Sequence, residues 1–172
     1  MVLRYLRGLW ELTQAGLLKK RRTAAPATAV QNVVAFVTPT RPVSANKPPR
    51  PRFTQAIAAS ARTAWAGPFL SAPLYARIVW FHKYPADRDV DNIAKRLLDS
   101  LKGVLYQDDS AISHCLTIGV DATRDVQLDG SAIGINVFTD LENLVADTVN
   151  RDVLYVEIGE HAPITVKFGR VE

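Results

Sequence analysis

The sequence has little of what a secreted or membrane protein needs. Cys115 is the single cysteine among 172 residues, so no disulfide can form within the chain, and a lone thiol fits a reducing compartment. No apolar run approaches the about 20 residues of a membrane-spanning helix. We therefore expect a cytoplasmic protein with no membrane association. The chain is long enough for one domain with its own hydrophobic core.

Acidic residues are missing from a long part of the chain. No Asp or Glu lies between Glu11 and Asp87, whereas eleven Lys and Arg residues do. Residues 1–107 contain 17 basic and 5 acidic side chains, and residues 108–172 contain 4 basic and 12 acidic ones, in keeping with the net charge of +4. Such asymmetry indicates a surface for a polyanion such as nucleic acid. The alternative is an ordinary solvated surface whose charges are unevenly spread along the chain.

Composition divides the chain into an N-terminal extension and a main domain. Residues 1–22 place leucines and Trp10 at helical spacing and end in a basic run at 19–22. Residues 23–31 have the Ala, Thr and Pro content of a linker. The extension, residues 1–31, has three interpretations: a helix docked on the domain, a helix for a partner, or a frayed end. Residues 32–172 form the main domain.

Hydrophobic periodicity predicts a mixture of strands and helices. We expect strands at 32–38, 75–83, 112–120, 133–138 and 153–158, with a further one at 164–168. We expect helices at 54–66, 92–104 and 139–149, the first and last capped by Thr54 and Thr139. Cys115 is expected to be buried in its strand. The mixture predicts an α/β or α+β fold.

The segment from residue 88 to residue 101 contains the chemistry-bearing pattern. In extended backbone Asp89 and Asp91 would project to one side, with about 7 Å between their Cα atoms, so both can reach one cation. From there Asp91, Lys95 and Asp99 recur every four residues along one stripe of a helix. An apolar stripe on the opposite side is predicted to face the core. It consists of Ile93, Leu97 and Leu101.

A further pair of carboxylates, Asp108 and Asp109, comes just before the strand predicted at 112–120. Converging carboxylates repel each other unless a divalent cation lies between them, and Mg²⁺ prefers oxygen ligands and substrate phosphate. A nearby lysine can stabilise charge on that phosphate, so the set suits phosphodiester hydrolysis. The alternatives are local: Asp91 as a helix cap, Lys95 with Asp99 as an ion pair, and residues 108–109 as a turn.

The run from Asp89 to Leu101, followed by Gly103 and the turn Asp108-Asp109-Ser110, resembles the RusA family of Holliday junction resolvases, which are crossover junction endodeoxyribonucleases. The family pattern is D-x-D-N-x-x-K-x-x-x-D-x-L, then G and a D-D-[SA] turn. The resemblance covers roughly residues 33–118. It implies an α/β fold of the RusA kind, an α+β mixed sheet with helices packed on it. It also implies a homodimer of bacterial or phage origin that cuts four-way or branched DNA with Mg²⁺, for which Mn²⁺ can substitute.

The resemblance also implies roles for single residues. The metal ligands would be Asp89, Asp91 and Asp109, and Lys95 would be the essential lysine. Asp99 matches a family position without an assigned role, and we interpret it as orienting Lys95. The two acids of the turn could exchange roles, so Asp108 remains an alternative ligand. The products would be nicks with 5′-phosphate and 3′-hydroxyl ends. Compared with the family, the chain carries an acidic insertion at about 119–150.

Basic residues near this pattern are candidates for DNA contacts. A proline-rich loop at 42–52 carries three of them, and two more flank the acidic residues. They are Lys47, Arg50, Arg52, Arg88 and Arg96. Such cations bind phosphates without reading base sequence. The alternative is a solvated connector, and Phe53 at its end is expected in the core, the alternative being a wedge at the branch point.

The leading hypothesis is a Mg²⁺-dependent endodeoxyribonuclease that resolves Holliday junctions or other branched DNA. The second hypothesis is a protein that binds branched DNA without cutting it. A third is a Mg²⁺ enzyme that acts on nucleotides or RNA. Metal-dependent turnover separates the first two, and dependence on DNA branching separates the first from the third.

Overall fold

Runs of β-branched and aromatic residues form the four strands of one mixed sheet. The computed structural model describes residues 32–48, 50–84, 90–124, 126–130 and 133–160. The strands are β1 (Val33–Thr38), β2 (Leu74–His82), β3 (Ile112–Asp121) and β4 (Asp152–Glu160), in the spatial order β1-β4-β2-β3. Strand β4 is antiparallel to both of its neighbours, whereas β2 and β3 are parallel.

Three helices accompany the sheet, α1 (Pro51–Ala64), α2 (Val90–Leu101) and α3 (Ile135–Ala146), with a short 3₁₀ turn at Asp109–Ala111. Because parallel strands need a crossover connection, α2 joins the end of β2 to the start of β3. Helix α1 packs against β1 and α2, and α3 packs against β1 and β4. The start of α2 lies against β3, where the Val90 side chain is close to Gly119.

The main core lies between the sheet and the helices α1 and α2. Its largest fully buried side chains include Ile57, Leu74, Ile78, Trp80, Ile93, Leu97, Leu101, Leu105, Tyr106, Leu154 and Ile158. A smaller core on the other face is centred on Phe81, Leu141, Val153 and Tyr155, under α3. Strand β4 is buried along nearly its whole length, while most of edge strand β3 is exposed.

The fold class predicted from the sequence is confirmed, because the described residues form an α+β fold with a mixed sheet. The strand predicted at 133–138 is wrong, since α3 begins at Ile135 with Gly134 at its N-cap. Both predicted caps are wrong as well. Pro51, which needs no N–H partner, occupies the first turn of α1, so Thr54 lies inside the helix, and Thr139 lies inside α3.

Other expectations have mixed outcomes. Cys115 was expected to be buried and is exposed on β3. Phe53 is buried in the core, as expected. The extension at 1–31 and the strand predicted at 164–168 lie outside the described residues, so the division into 1–31 and 32–172 stays a prediction. Within the part of the chain that the structure describes, no helix is long and apolar enough to cross a membrane.

Candidate active site

Helix α2 is fixed tightly at its start. The backbone N–H of Ala45 donates to the carbonyl of Asn92 at 3.0 Å, which ties the proline-rich loop to the first turn of α2. A Cβ atom on Gly119 of β3 would come within 3.3 Å of the Val90 side chain, so the glycine allows α2 to pack closely on the strand. These contacts fix the position of the first turn of α2.

The periodicity of α2 separates its buried and exposed side chains as predicted. Its apolar stripe is completely buried and consists of Ile93, Leu97 and Leu101. On the opposite side Asp91, Lys95 and Asp99 are exposed. The spacing of eight residues sets Asp91 and Asp99 about 12 Å apart along the helix axis, with Lys95 midway.

The side chains of Asp91 and Lys95 on this exposed stripe have few contacts with described residues. The Asp91 carboxylate accepts a hydrogen bond from the backbone N–H of the next residue, Asn92, at 2.8 Å. Its position in the first helical turn favours a negative charge. Lys95 forms no hydrogen bond or ion pair with any described residue, so the ion pair considered for Lys95 and Asp99 is not formed. The ammonium group of Lys95 is thus available to a ligand.

The two acids of the turn after α2 differ in their contacts. Asp108 pairs with Lys102 and accepts a hydrogen bond from the backbone N–H of Ser110 at 3.0 Å. These two contacts, the lysine first, hold the pKa of Asp108 far below its usual range. Asp109 is exposed, and its carboxylate lies beside that of Asp108 without forming an ion pair to a described residue. Asp108 therefore fixes the turn, whereas Asp109 is left for other contacts.

The C-terminal end of α2 and this turn bring negative charges together. The pKa of the Tyr106 hydroxyl is raised by burial and then by the charges of Asp109 and Asp99. The same two carboxylates, after Asp108, raise the pKa of Lys102. Asp99 and Asp109 therefore lie near both Lys102 and Tyr106, and Asp108 contacts Lys102.

The exposed carboxylates fit a hard divalent cation by donor type, since all of them offer oxygen atoms. Among the described residues, no three His, Cys, Asp or Glu side chains lie close enough together to hold a metal ion. Asp89, the third ligand predicted from the sequence, lies outside the described residues, as does Arg88. Asp91 and Asp109 remain the described candidates that lack an ionic partner.

The predicted DNA-binding residues divide into two groups. Arg96 donates hydrogen bonds to the carbonyls of Ala45 and Lys47, at 3.0 and 2.8 Å, so its guanidinium ties the proline-rich loop to α2. The side chains of Lys47, Arg50 and Arg52 are exposed on the loop and the start of α1. Both arginines line a cavity of about 590 Å³.

Sequence reasoning missed a cluster of side chains at the end of β2. The guanidinium carbons of Arg41 and Arg151 lie over the Tyr84 ring, 5.4 and 5.1 Å from its centroid. Arg41 also lines the cavity with Arg50 and Arg52. No local signal links Arg151 to Tyr84, because their contact depends on the pairing of β2 with β4.

Residues 27–124 match the family model of Endodeoxyribonuclease RusA. The match covers more than half of the chain and includes the whole pattern from Asp89 to Ser110. The chain belongs to the RusA family. This confirms the resemblance found in the sequence. No curated protein matches the chain.

Family membership makes this chain an endodeoxyribonuclease, a hydrolase of the kind that resolves Holliday junctions. RusA resolvases act on branched DNA and generally depend on a divalent metal ion. The matched segment ends at Arg124, so α3 and β4 lie beyond it. The carboxylates of α2 and its following turn, and the basic loop at 42–52, lie within it.

Proposed function

We propose that this RusA-family chain is a Mg²⁺-dependent, structure-selective endonuclease that resolves four-way or branched DNA by paired cuts. The observation that carries the proposal is the exposed pair of Asp91 and Asp109, which form no ion pair with a described residue. Solvated carboxylates without a cationic partner are suited to a divalent ion, and the family generally uses one.

In this proposal Asp89, Asp91 and Asp109 hold the metal ion, with Asp108 as the alternative ligand from the turn. The bound ion would supply an activated water and neutralise charge on the scissile phosphate. Lys95, exposed midway along α2, contacts a non-bridging phosphate oxygen. The orienting role expected for Asp99 has no contact to support it, because Asp99 and Lys95 form no ion pair in the structure. Addition of water to phosphorus breaks the bond to the 3′ oxygen, which takes a proton and leaves as a 3′-hydroxyl opposite a 5′-phosphate.

The basic residues bind the DNA backbone in the same proposal. Lys47, Arg50 and Arg52 contact phosphates directly, since their side chains are exposed. Arg88 contacts phosphate beside the metal ligands. Arg96 acts through the loop, because its guanidinium donates to two loop carbonyls. Prolines in the loop reduce the entropy lost when it binds.

The first experiment compares cleavage of a labelled four-way junction with that of a linear duplex. Wild type, Asp91→Asn and Asp140→Asn are incubated with Mg²⁺, Mn²⁺ or EDTA. Asp140 is an exposed acid on α3 and serves as the matched control. We expect paired, symmetric, metal-dependent nicks in the junction alone. Asp91→Asn should lose cleavage and keep junction binding, while Asp140→Asn should resemble wild type.

Other outcomes favour the alternatives. Tight junction binding without cutting under any divalent ion would favour a branched-DNA-binding protein. Cleavage of RNA or of linear DNA with equal efficiency would favour a Mg²⁺ enzyme that does not recognise branching. Unchanged cleavage by Asp91→Asn would remove this residue from the site.

We further propose that the enzyme is a homodimer, because symmetric cuts in two strands need two active sites. Light scattering after gel filtration should give twice the chain mass of 19.0 kDa. A monomer mass at the concentrations that support cleavage would contradict this. We also propose a cytoplasmic, bacterial or phage-encoded enzyme, since the single thiol fits a reducing compartment.

A further inference from the structure

The cluster at the end of β2 joins distant parts of the chain around one aromatic ring. Tyr84 follows β2 and comes just before the segment that contains Asp89. Arg41 comes from the start of the proline-rich loop and Arg151 from the residue before β4. Their guanidinium carbons lie 5.4 and 5.1 Å from the ring centroid, so they cannot be farther apart than the sum of these distances.

Hydrogen bonds hold the Tyr84 side chain in place. The Tyr84 hydroxyl donates to Oδ1 of Asp152 at 2.5 Å, and the indole N–H of Trp80 donates to the same oxygen at 2.9 Å. Asp152 and Trp80 are both buried. The imidazole Nδ1–H of His82 also donates to the Tyr84 carbonyl, at 2.7 Å. Tyr84 is therefore a rigid platform, and the arginines over it lose less conformational freedom when they bind a ligand.

No carboxylate among the described residues pairs with the two arginines over the ring. Arg41 and Arg151 are exposed, and neither forms an ion pair with a described residue. The Asp152 carboxylate takes its hydrogen bonds from the neutral groups of Trp80 and Tyr84. Two like charges on one ring repel each other, so an anion between or beside them would stabilise both.

The position of the cluster indicates which anion it binds. Arg41 also lines the cavity of about 590 Å³ that contains Arg50 and Arg52. Basic side chains thus continue from the proposed DNA-binding loop to the Tyr84 ring, and in the sequence Tyr84 precedes Asp89 by five residues. A planar guanidinium offers paired N–H donors that match phosphate oxygens.

We propose that Arg41 and Arg151, held over the Tyr84 ring, form a binding site for backbone phosphate of the DNA substrate. The inference rests on the proposed function, because it describes how the same nuclease holds its DNA. It assigns a role to Arg151, which lies beyond the segment that matches the family and in the acidic half of the chain.

The test measures equilibrium binding of a fluorescent four-way junction by anisotropy, in EDTA to prevent cleavage, from 50 to 200 mM NaCl. Arg41→Ala and Arg151→Ala are examined singly and together. Each single substitution should weaken binding by about tenfold at the lowest salt. Each should also reduce the slope of log K against log salt by about 0.9, the value for one lost phosphate contact.

Arg62→Ala is the matched control. Arg62 is an exposed arginine in the last turn of α1, about 15 Å along the helix axis from Arg52. It should bind the junction with the wild-type affinity and salt slope. Arg41→Lys and Arg151→Lys keep the charge and lose the planar donors, so they should recover part of the affinity and most of the slope.

Two results would overturn the inference. If wild type binds the junction and the double variant binds with the same affinity and slope, the arginines do not contact phosphate, and the proposed nuclease is unaffected. If the double variant melts at a lower temperature while its salt slope is unchanged, the arginines only pack on the ring. Wild type that binds no junction at all would overturn the inference and the proposed function together.

Discussion

The carboxylates of β4 are held by donors on other residues, whereas three carboxylates of α2 and the turn after it have no ionic partner among the described residues. Each acid of β4 accepts hydrogen bonds from two donors on other residues, and these acids are Asp152, Glu157 and Glu160. On α2 and the turn, Asp91, Asp99 and Asp109 are exposed and form no ion pair with a described residue. The same functional group therefore serves the fold in one region and remains accessible in the other.

Solvation explains the difference. A buried carboxylate needs hydrogen-bond donors, because removing its charge from water costs several kcal/mol. Glu157 meets this need with the hydroxyls of Tyr75 and Tyr155 and lies near Arg77. The carboxylates of α2 stay in water, which tolerates their mutual repulsion and can be exchanged for a metal ion. Their substitution should change catalysis, whereas substitution in β4 should change stability.

The largest expected effect separates the two acids of the turn. Asp109→Asn should lower cleavage of a four-way junction by about 100-fold or more, since it removes a proposed ligand of the metal ion that would stabilise transition-state charge. Asp108→Asn should retain most of the activity, because Asp108 is engaged by Lys102 and by the Ser110 N–H. Single-turnover rates with Mg²⁺ measure both. A reversed order would make Asp108 the metal ligand.

The next effect is on stability and concerns β4. Glu157→Ala leaves the hydroxyls of Tyr75 and Tyr155 without their acceptor and should lower the free energy of unfolding by about 2–3 kcal/mol. Glu157→Gln keeps one acceptor oxygen and should cost less. Urea unfolding followed by circular dichroism measures both variants. Glu142→Ala, an exposed acid on α3, is the control and should unfold like wild type. A Glu157→Ala chain as stable as wild type would contradict the structural role.

The contrast between the two faces of α2 could be predicted from the sequence, because it follows from helical periodicity alone. The four observed strands and α2 were predicted to within a few residues, because each has its own pattern of apolar residues along the sequence. The start of α3 was not, since Ile133, Ile135 and Val137 alternate as in a strand. Helix α3 instead buries Leu141 against Phe81, Val153 and Tyr155 of the sheet, a tertiary contact that the local pattern does not contain.

Contacts between distant residues were beyond sequence reasoning. Lys102 reaches Asp108 through a turn in which Gly103 adopts a φ of 73°, outside any helical spacing rule. Arg96 bonds to a loop about fifty residues earlier in the chain. The contact of Arg151 with Tyr84 follows from the insertion of β4 between β1 and β2, and the strand order is not written in any one segment.

A smaller effect should appear at alkaline pH. Burial, followed by the hydrogen bond and charge of Glu157, raises the pKa of Tyr75 to about 12, whereas an unfolded tyrosine titrates near 10. Between these values the unfolded chain has released a proton that the folded chain keeps. The free energy of unfolding should therefore fall as pH rises from about 10 to about 12, and the contribution is complete below pH 10.

Tyr75→Phe isolates this contribution. Urea unfolding at pH 8, 10 and 11 should show a shallower decline for the variant than for wild type. A decline should remain in both chains, because burial also raises the pKa values of the Tyr106 and Tyr155 hydroxyls. Their contribution to the free energy of unfolding is lost with rising pH in the variant and in wild type alike. Identical pH dependence of the two proteins would contradict the assignment.

The smallest expected effect concerns Lys102, because its pair with Asp108 is exposed to solvent. Surface ion pairs gain little, so Lys102→Ala should leave the free energy of unfolding unchanged within error. The pair should still be visible in titration: loss of the lysine removes the main cause of the low Asp108 pKa. That pKa should rise toward its usual value in a carbon-13 NMR titration, yet stay below it because the Ser110 N–H still donates. Lys95→Ala is the matched control, which should lower cleavage without changing the pKa of Asp108. A shift of that pKa in Lys95→Ala, or a large loss of stability in Lys102→Ala, would contradict the prediction. Either result would remove the distinction between carboxylates held by the fold and carboxylates left for a ligand.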